Sequence, residues 1–240
     1  RGHRPHRNED AGGVVRTAEG WPVLVVADGV SASPGPDEAS AAAVEAVVAA
    51  LRDRPVTGEG DLAAALEAAH AAVSALPHDR DPHWPPDDTH PACTIAVAVA
   101  GPTVRVANVG DARAYLLAPA GDGWRATQLS SDDSVAAAAV AQGIDLEVAL
   151  ALPGGHGITA WLGADAFDLD PHLTSVDAPA GALVAAVVEA EALVQRFEQQ
   201  LDLELRQAGI DRHTSQCVPP CLSAAKPASS TAAAPRRPAW

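Results

Sequence analysis

Methionine is absent from the 240-residue chain, position 1 included, so the sequence reads as a fragment or a processed product. No run approaches the roughly 18 to 20 apolar residues that a membrane-spanning helix needs, and no signal peptide opens the chain. Cysteine is scarce: Cys93, Cys217 and Cys221 make no disulfide framework and point to a reducing, cytoplasmic setting. Cys217-Val-Pro-Pro-Cys221 has loosely metal-like spacing, but no second pair accompanies it, which argues against structural zinc. Basic residues are few, 16 Lys and Arg against 31 Asp and Glu, for a formal net charge of −15. Such a surface repels nucleic acid and anionic membranes, and it attracts divalent cations or basic protein segments.

With 48% hydrophobic content, the chain can bury one substantial core, so one folded domain is expected. Its organising stretch is Trp21-Pro22-Val23-Leu24-Val25-Val26-Ala27-Asp28-Gly29-Val30. The Val-rich apolar run predicts a strand buried on both faces. A charged Asp28 at its tip is costly unless something compensates it, and Gly29 lets the backbone turn or approach a bound group closely. Two readings follow: an ordinary Asp-Gly turn, or a metal-binding carboxylate held at a strand end.

A short strand through Val14 and Val15 should precede this one, with Ala18-Glu19-Gly20 as the turn between. Pro36-Asp37-Glu38 opens a helix to about Asp53, because Pro suits the first turn and carboxylates match the positive end of the dipole. A second Ala-rich helix runs from Asp61 to about Ala75, and Pro77 to Pro91 is a long Pro- and Asp-rich loop. Thr94–Ala100 and Thr103–Val109 read as a hairpin across Gly101-Pro102. Strands follow over Arg113–Ala118 and Trp124–Leu129, a short helix over Ser134–Gln142, and strands over Thr159–Leu162, Leu173–Val176 and Leu183–Val188. Glu189 to about Gln207 reads as helix. Beyond Gly209 the composition turns to Pro, Ser, Ala and Thr, and the cations Arg212, Lys226, Arg236 and Arg237 outnumber the one carboxylate, which predicts a disordered tail over 210–240. Strand following strand without intervening helices argues for antiparallel pairing, hence an α+β fold of stacked sheets with helices outside.

Five landmarks appear in order: Arg7-Asn8-Glu9-Asp10; Val26-Ala27-Asp28-Gly29; Val106-Ala107-Asn108-Val109-Gly110-Asp111-Ala112-Arg113-Ala114-Tyr115; Leu129-Ser130-Ser131-Asp132-Asp133-Ser134; and Gly157-Ile158-Thr159-Ala160-Trp161-Leu162-Gly163-Ala164-Asp165. The ordered series resembles the metal-dependent serine/threonine protein phosphatases of the PP2C (PPM) family, the bacterial ones in particular, over about residues 1 to 188. The resemblance implies a two-layer antiparallel β-sandwich flanked by α-helices, within a phosphatase domain over residues 1–209. It implies a binuclear Mn²⁺ or Mg²⁺ centre that hydrolyses phosphoserine and phosphothreonine in proteins, within a Ser/Thr kinase system, and a monomer is expected. By the same resemblance Asp10 binds one ion, Asp28 bridges both, the Gly29 carbonyl completes the second, and Glu9 acts on the second through water. Oxygen donors on strand ends suit such hard cations. A phosphate-binding arginine precedes the acidic pair in the family; Arg4 and Arg7 both qualify here, with Arg4 favoured. His3 and His6 are candidates for protonating a leaving group. Asp111 and Asp132 are further candidates, with turn or cap roles as their alternatives.

Two family pieces are missing. A later strand normally ends in Asp-Gly, and an Asp-Asn follows near the end; both aspartates bind the first ion. Here the strand reads Gly181-Ala182-Leu183-Val184-Ala185-Ala186-Val187-Val188-Glu189, and no Asp-Asn occurs in the chain. Glu189 and Glu191 are the nearest substitutes, and Ala160 stands where the family usually has Arg. The last strands of the sandwich are expected to be missing as well, in a C-terminally incomplete or altered member. The alternative to an active enzyme is thus a catalytically impaired pseudophosphatase that acts as a binding or regulatory module.

Overall fold

The computed structural model of the chain describes residues 8–77, 90–121 and 123–188. Arg4, Arg7, His3, His6, most of the Pro77–Pro91 loop, the helix expected from Glu189, Cys217, Cys221 and the tail lie outside the described residues.

Side-chain alternation builds the first layer. In β2 (Pro22–Gly29) the odd positions Val23, Val25 and Ala27 are buried, whereas Leu24, Val26 and Asp28 are half-buried. β1 (Asp10–Arg16) pairs antiparallel with β2, and β3 (Cys93–Ala100) pairs with β2 on its other side. β4 (Thr103–Val109) and β7 (His172–Asp177) complete a five-stranded sheet ordered β1-β2-β3-β4-β7. Two helices, α1 (Pro36–Leu51) and α2 (Glu59–Ser74), lie against one face of it. Val44, Val47, Leu62 and Leu66 of the helices share one core with Val23, Val25, Ile95 and Val97 of the sheet. Ala39, Ala43, Ala65 and Ala69 are fully or almost fully buried in the same core. These small side chains let the two helices approach closely, and alanine supplies the best helix propensity.

The helix ends follow from the sequence. Pro36 opens α1 with Asp37 and Glu38 in the first turn. Gly58 has no side chain to cap α2; instead Asp61 reaches back and accepts hydrogen bonds from the Thr57 and Gly58 amides at 2.7 and 3.0 Å. Those bonds hold the Asp61 carboxyl below the usual carboxylate range.

On the opposite face, β5 (Arg113–Ala120), β6 (Gly123–Gln128) and β8 (Leu183–Val187) form a second sheet ordered β6-β5-β8. Ala98, Val104 and Val106 of the first sheet pack there against Ala114, Leu116 and Leu129. Both sheets are antiparallel throughout, so the observed class is α+β with two stacked antiparallel layers and external helices. The second sheet has fewer strands and meets β2 through β8, so β2 is sealed on one face only. That corrects the expectation of burial on both faces. The uncovered side of β1 is open enough that Val14 is 73% exposed.

Three local expectations also change. The strand at Val14–Val15 begins earlier, at Asp10, because the whole segment pairs with β2. Thr159–Leu162 is not a strand: Leu162 makes a single two-way bridge to Cys93, with N···O distances of 3.1 and 2.8 Å. The Ser134 hydroxyl caps α3 (Val135–Ala141) by accepting from the Ala137 amide. Beyond it, a five-residue helix, α4 (Leu146–Leu150), starts at Asp145, whose carboxylate accepts from the Glu147 amide at 2.9 Å. One turn is too short to show a helical period in sequence.

Candidate metal centre

Asp10 and Asp28 are direct partners in the β1–β2 register. One position along, the Gly29 amide donates to the Glu9 carbonyl at 3.0 Å, which makes Asp10–Asp28 a non-hydrogen-bonded pair. Such pairs bring Cα atoms to about 4.5 Å and put both side chains on one face. That face is the one turned away from α1 and α2. Asp10 is exposed and Asp28 half-buried.

Gly29 is fixed by crowding rather than by a turn. A Cβ there would lie 2.2 Å from the Pro36 carbonyl oxygen, so the first turn of α1 can approach only a glycine. Glu9 completes the strand ends. Its carbonyl also accepts from the Ser40 hydroxyl at 2.6 Å, and its carboxylate oxygen Oε2 accepts from the Ser31 hydroxyl.

The row continues into β3. Thr94 is the cross-strand partner of Asp28, is 3% exposed, and its Oγ1 has no hydrogen-bond partner. Gly110 presses on it: a Cβ at Gly110, whose φ is +87°, would sit 2.3 Å from Thr94 Cγ2. Asp111 follows Gly110. Burial raises its carboxyl above the usual range, the Asp132 charge adds to that, and its own backbone amide, Arg113 and nearby Thr94 partly oppose it. Beneath the row, burial pushes the Cys93 thiol up to about 12 and the Asp28 charge adds to the effect, so this thiol is inert at neutral pH.

Asp132 is engaged elsewhere. Arg113 Nε lies 2.9 Å from both its oxygens, Arg113 Nη2 also donates to Oδ2, and Gln128 Nε2 donates to Oδ1 at 3.0 Å. Neighbouring Asp133 is a staple between elements. Its Oδ2 accepts from the Gly110 amide at 2.9 Å, its Oδ1 lies 2.7 Å from His172 Nε2, and its own amide donates to the Gly110 carbonyl at 3.0 Å. Buried Asn108 braces the same corner, donating to the Ser131 carbonyl at 2.7 Å and accepting from the Ser131 amide at 3.1 Å.

The structure thus brings Glu9, Asp10, Asp28 and Gly29 to adjoining strand ends, sets Thr94 and Asp111 beside them, and turns Asp132 into an ion pair. Arg4 lies outside the described residues. The sequence reading missed Ser31, Ser40, Thr94 and Asp133. For the first two, a signal existed in serines crowded after Asp28 and at the start of α1; Thr94 and Asp133 act through the strand register and long-range contacts. As donors, carboxylates and a backbone carbonyl fit a hard divalent cation in kind, and an orphaned buried hydroxyl beside them is what a site for a hydrated ion provides. Among the described residues, no three Asp, Glu, His or Cys side chains group as a metal cluster.

The chain belongs to the protein phosphatase 2C family, whose model matches residues 2–149. No curated protein sequence matches it. Among solved structures, the Mycobacterium tuberculosis serine/threonine phosphatase PstP/Ppp is 28% identical, with a TM-score of 0.57 over 78% of this chain and 74% of that one. The catalytic domain of the phosphatase PstP in complex with two manganese ions is 27% identical, with a TM-score of 0.57 over 77% of this chain and 72% of that one. The S. agalactiae serine/threonine phosphatase is 20% identical with a TM-score of 0.63, over 77% of this chain and 74% of that one, and shows the shared fold.

Proposed function

We propose that this chain is a metal-dependent protein phosphatase acting on phosphoserine and phosphothreonine. The observation that carries the reading is the Asp10–Asp28 cross-strand pair, set on one face beside Gly29 in a chain of this family. A bound pair of Mn²⁺ or Mg²⁺ ions supplies a nucleophile at neutral pH and neutralises phosphoryl oxygens. Asp10 would hold one ion, Asp28 would serve both, and the Gly29 carbonyl and Glu9 would serve the second. Asp111 is the remaining further ligand candidate, because Arg113 and Gln128 engage Asp132. Arg4 binds the substrate phosphate. The proposed setting is a cytoplasmic monomer, paired with a Ser/Thr kinase system, with its phosphatase domain over residues 1–209. No helix among the described residues is long and apolar enough to cross a membrane.

A second reading has its own observation. β8 ends at Val187, paired with Arg113, and the Asp-Gly that the resemblance calls for after this strand is absent from the sequence. A site short of that carboxylate holds its first ion weakly, which favours a catalytically impaired binding or regulatory module. Hydrolysis of a small aryl phosphate with Mn²⁺, by the parent chain and by Asp28→Ala, separates the two. A Mn²⁺-dependent rate that the substitution abolishes supports the enzyme; equal rates dismiss it, and Mn²⁺ calorimetry then shows whether an ion is still bound.

A further inference from the structure

Glu9 is held at both ends, and this rests on the metal-centre reading above. Its carbonyl is pinned by the Gly29 amide at 3.0 Å and by the Ser40 hydroxyl at 2.6 Å, and Ser40 is fully buried in the second turn of α1. Its carboxylate is held by Ser31, which stands in an exposed loop directly after Gly29.

That loop is itself rigid. The Ser33 amide and hydroxyl both donate to the Val30 carbonyl, at 2.7 and 2.8 Å. The Val30 amide donates to the Ala92 carbonyl at 2.9 Å, and the Ala92 amide returns a bond to Ser33 Oγ at 3.2 Å. Ser31 is therefore carried at a fixed place three residues beyond the Asp28 that faces Asp10.

A glutamate at a strand end has three side-chain torsions and points into solvent unless something orders it. We infer that Ser31 is a positioning residue: its hydroxyl ties Oε2 of Glu9 and orients the carboxylate toward the divalent ion completed by Gly29. Hydrogen bonds of this kind to a ligating carboxylate sharpen a metal site without touching the metal. Exposed Ser31 belongs to none of the hydrophobic cores among the described residues, so its loss leaves folding alone.

The test uses the full chain, Mn²⁺ calorimetry and thermal melting without metal, on the parent, on Ser31→Ala, Ser31→Thr, Glu9→Gln and Asp28→Ala, and on Ser31→Ala combined with Glu9→Gln. The expected result is an unchanged metal-free melt for Ser31→Ala, with Mn²⁺ affinity reduced about tenfold. Ser31→Thr, which keeps a hydroxyl, restores the parent affinity, and Ser31→Ala adds no further loss in the Glu9→Gln background. Parent-like Mn²⁺ binding by Ser31→Ala overturns the inference while leaving the metal centre standing. A parent chain that binds no Mn²⁺, or binds it equally well as Asp28→Ala, removes both.

Discussion

Asp10 and Asp28 confront each other across adjacent strands, two like charges at a non-hydrogen-bonded position of the β1–β2 ladder. Directly opposed like charges cost up to about 1 kcal/mol. Asp10→Asn is therefore expected to raise the metal-free stability by about 0.5 kcal/mol. Saturating Mn²⁺ reverses the order, since an ion at 100 times its Kd stabilises the folded state by about 2.7 kcal/mol. Melting curves with and without Mn²⁺ check this; a variant that gains as much from Mn²⁺ as the parent refutes a role for Asp10 as a ligand.

Thr94 buries a hydroxyl with no hydrogen-bond partner in the middle of the same row. Replacing it by valine removes that group at nearly constant volume, and with it the Thr94 contribution that lowers the Asp111 carboxyl, so Thr94→Val should stabilise the metal-free protein by no more than about 1 kcal/mol. Urea denaturation reads this directly. Destabilisation would mean that the hydroxyl has a partner in solution.

Asp111 makes stability depend on pH in a defined direction. Its folded pKa is raised above the ordinary aspartate value of 3.8, chiefly by burial, so the folded state binds more protons than the unfolded state above that pH. Stability from this group thus falls as pH rises from about 3.8 through the raised folded value. Asp111→Asn should be more stable than the parent at pH 7 and lose that advantage below pH 4. Paired denaturation curves across this range, without metal, test it; a gain that does not depend on pH would contradict the burial argument.

Asp133 links three segments that are distant in sequence, through Gly110, His172 and Thr159. Asp133→Ala leaves the Gly110 amide without its carboxylate acceptor and should cost about 2 kcal/mol, with Asp133→Asn recovering part of it. Amide hydrogen exchange provides the local readout: protection at Gly110 should fall in the alanine variant more than protection in β2.

The class of fold was legible because Val23–Val26 and Thr94–Val109 carry strand-like apolar runs while Pro36-Asp37-Glu38 opens a helix with unambiguous chemistry. The acidic strand ends were legible too, since a carboxylate beside glycine at the tip of a buried strand demands an explanation. Thr94 was not. Its meaning depends on lying opposite Asp28, and that register is set by pairing between segments far apart in the chain. Asp132 illustrates the converse: its position in a motif suggested a ligand, turn or cap, whereas a guanidinium reaching from β5 claims both of its oxygens. The half-open face of β2 was equally hidden, because strand count in the opposing layer is not written in β2 itself.

The order of pairing also bears on how the molecule is made. β7 closes the first layer on β4, and β8 closes the second on β5, each across roughly 60 residues of intervening chain. During synthesis β4 therefore waits, one edge unpaired, until Asp177 has left the ribosome, and β5 waits until Val187 has. The described domain should fold late and slowly as one cooperative unit, and a chaperone that shields β4 and β5 in that interval would raise its yield more than any gain in final stability.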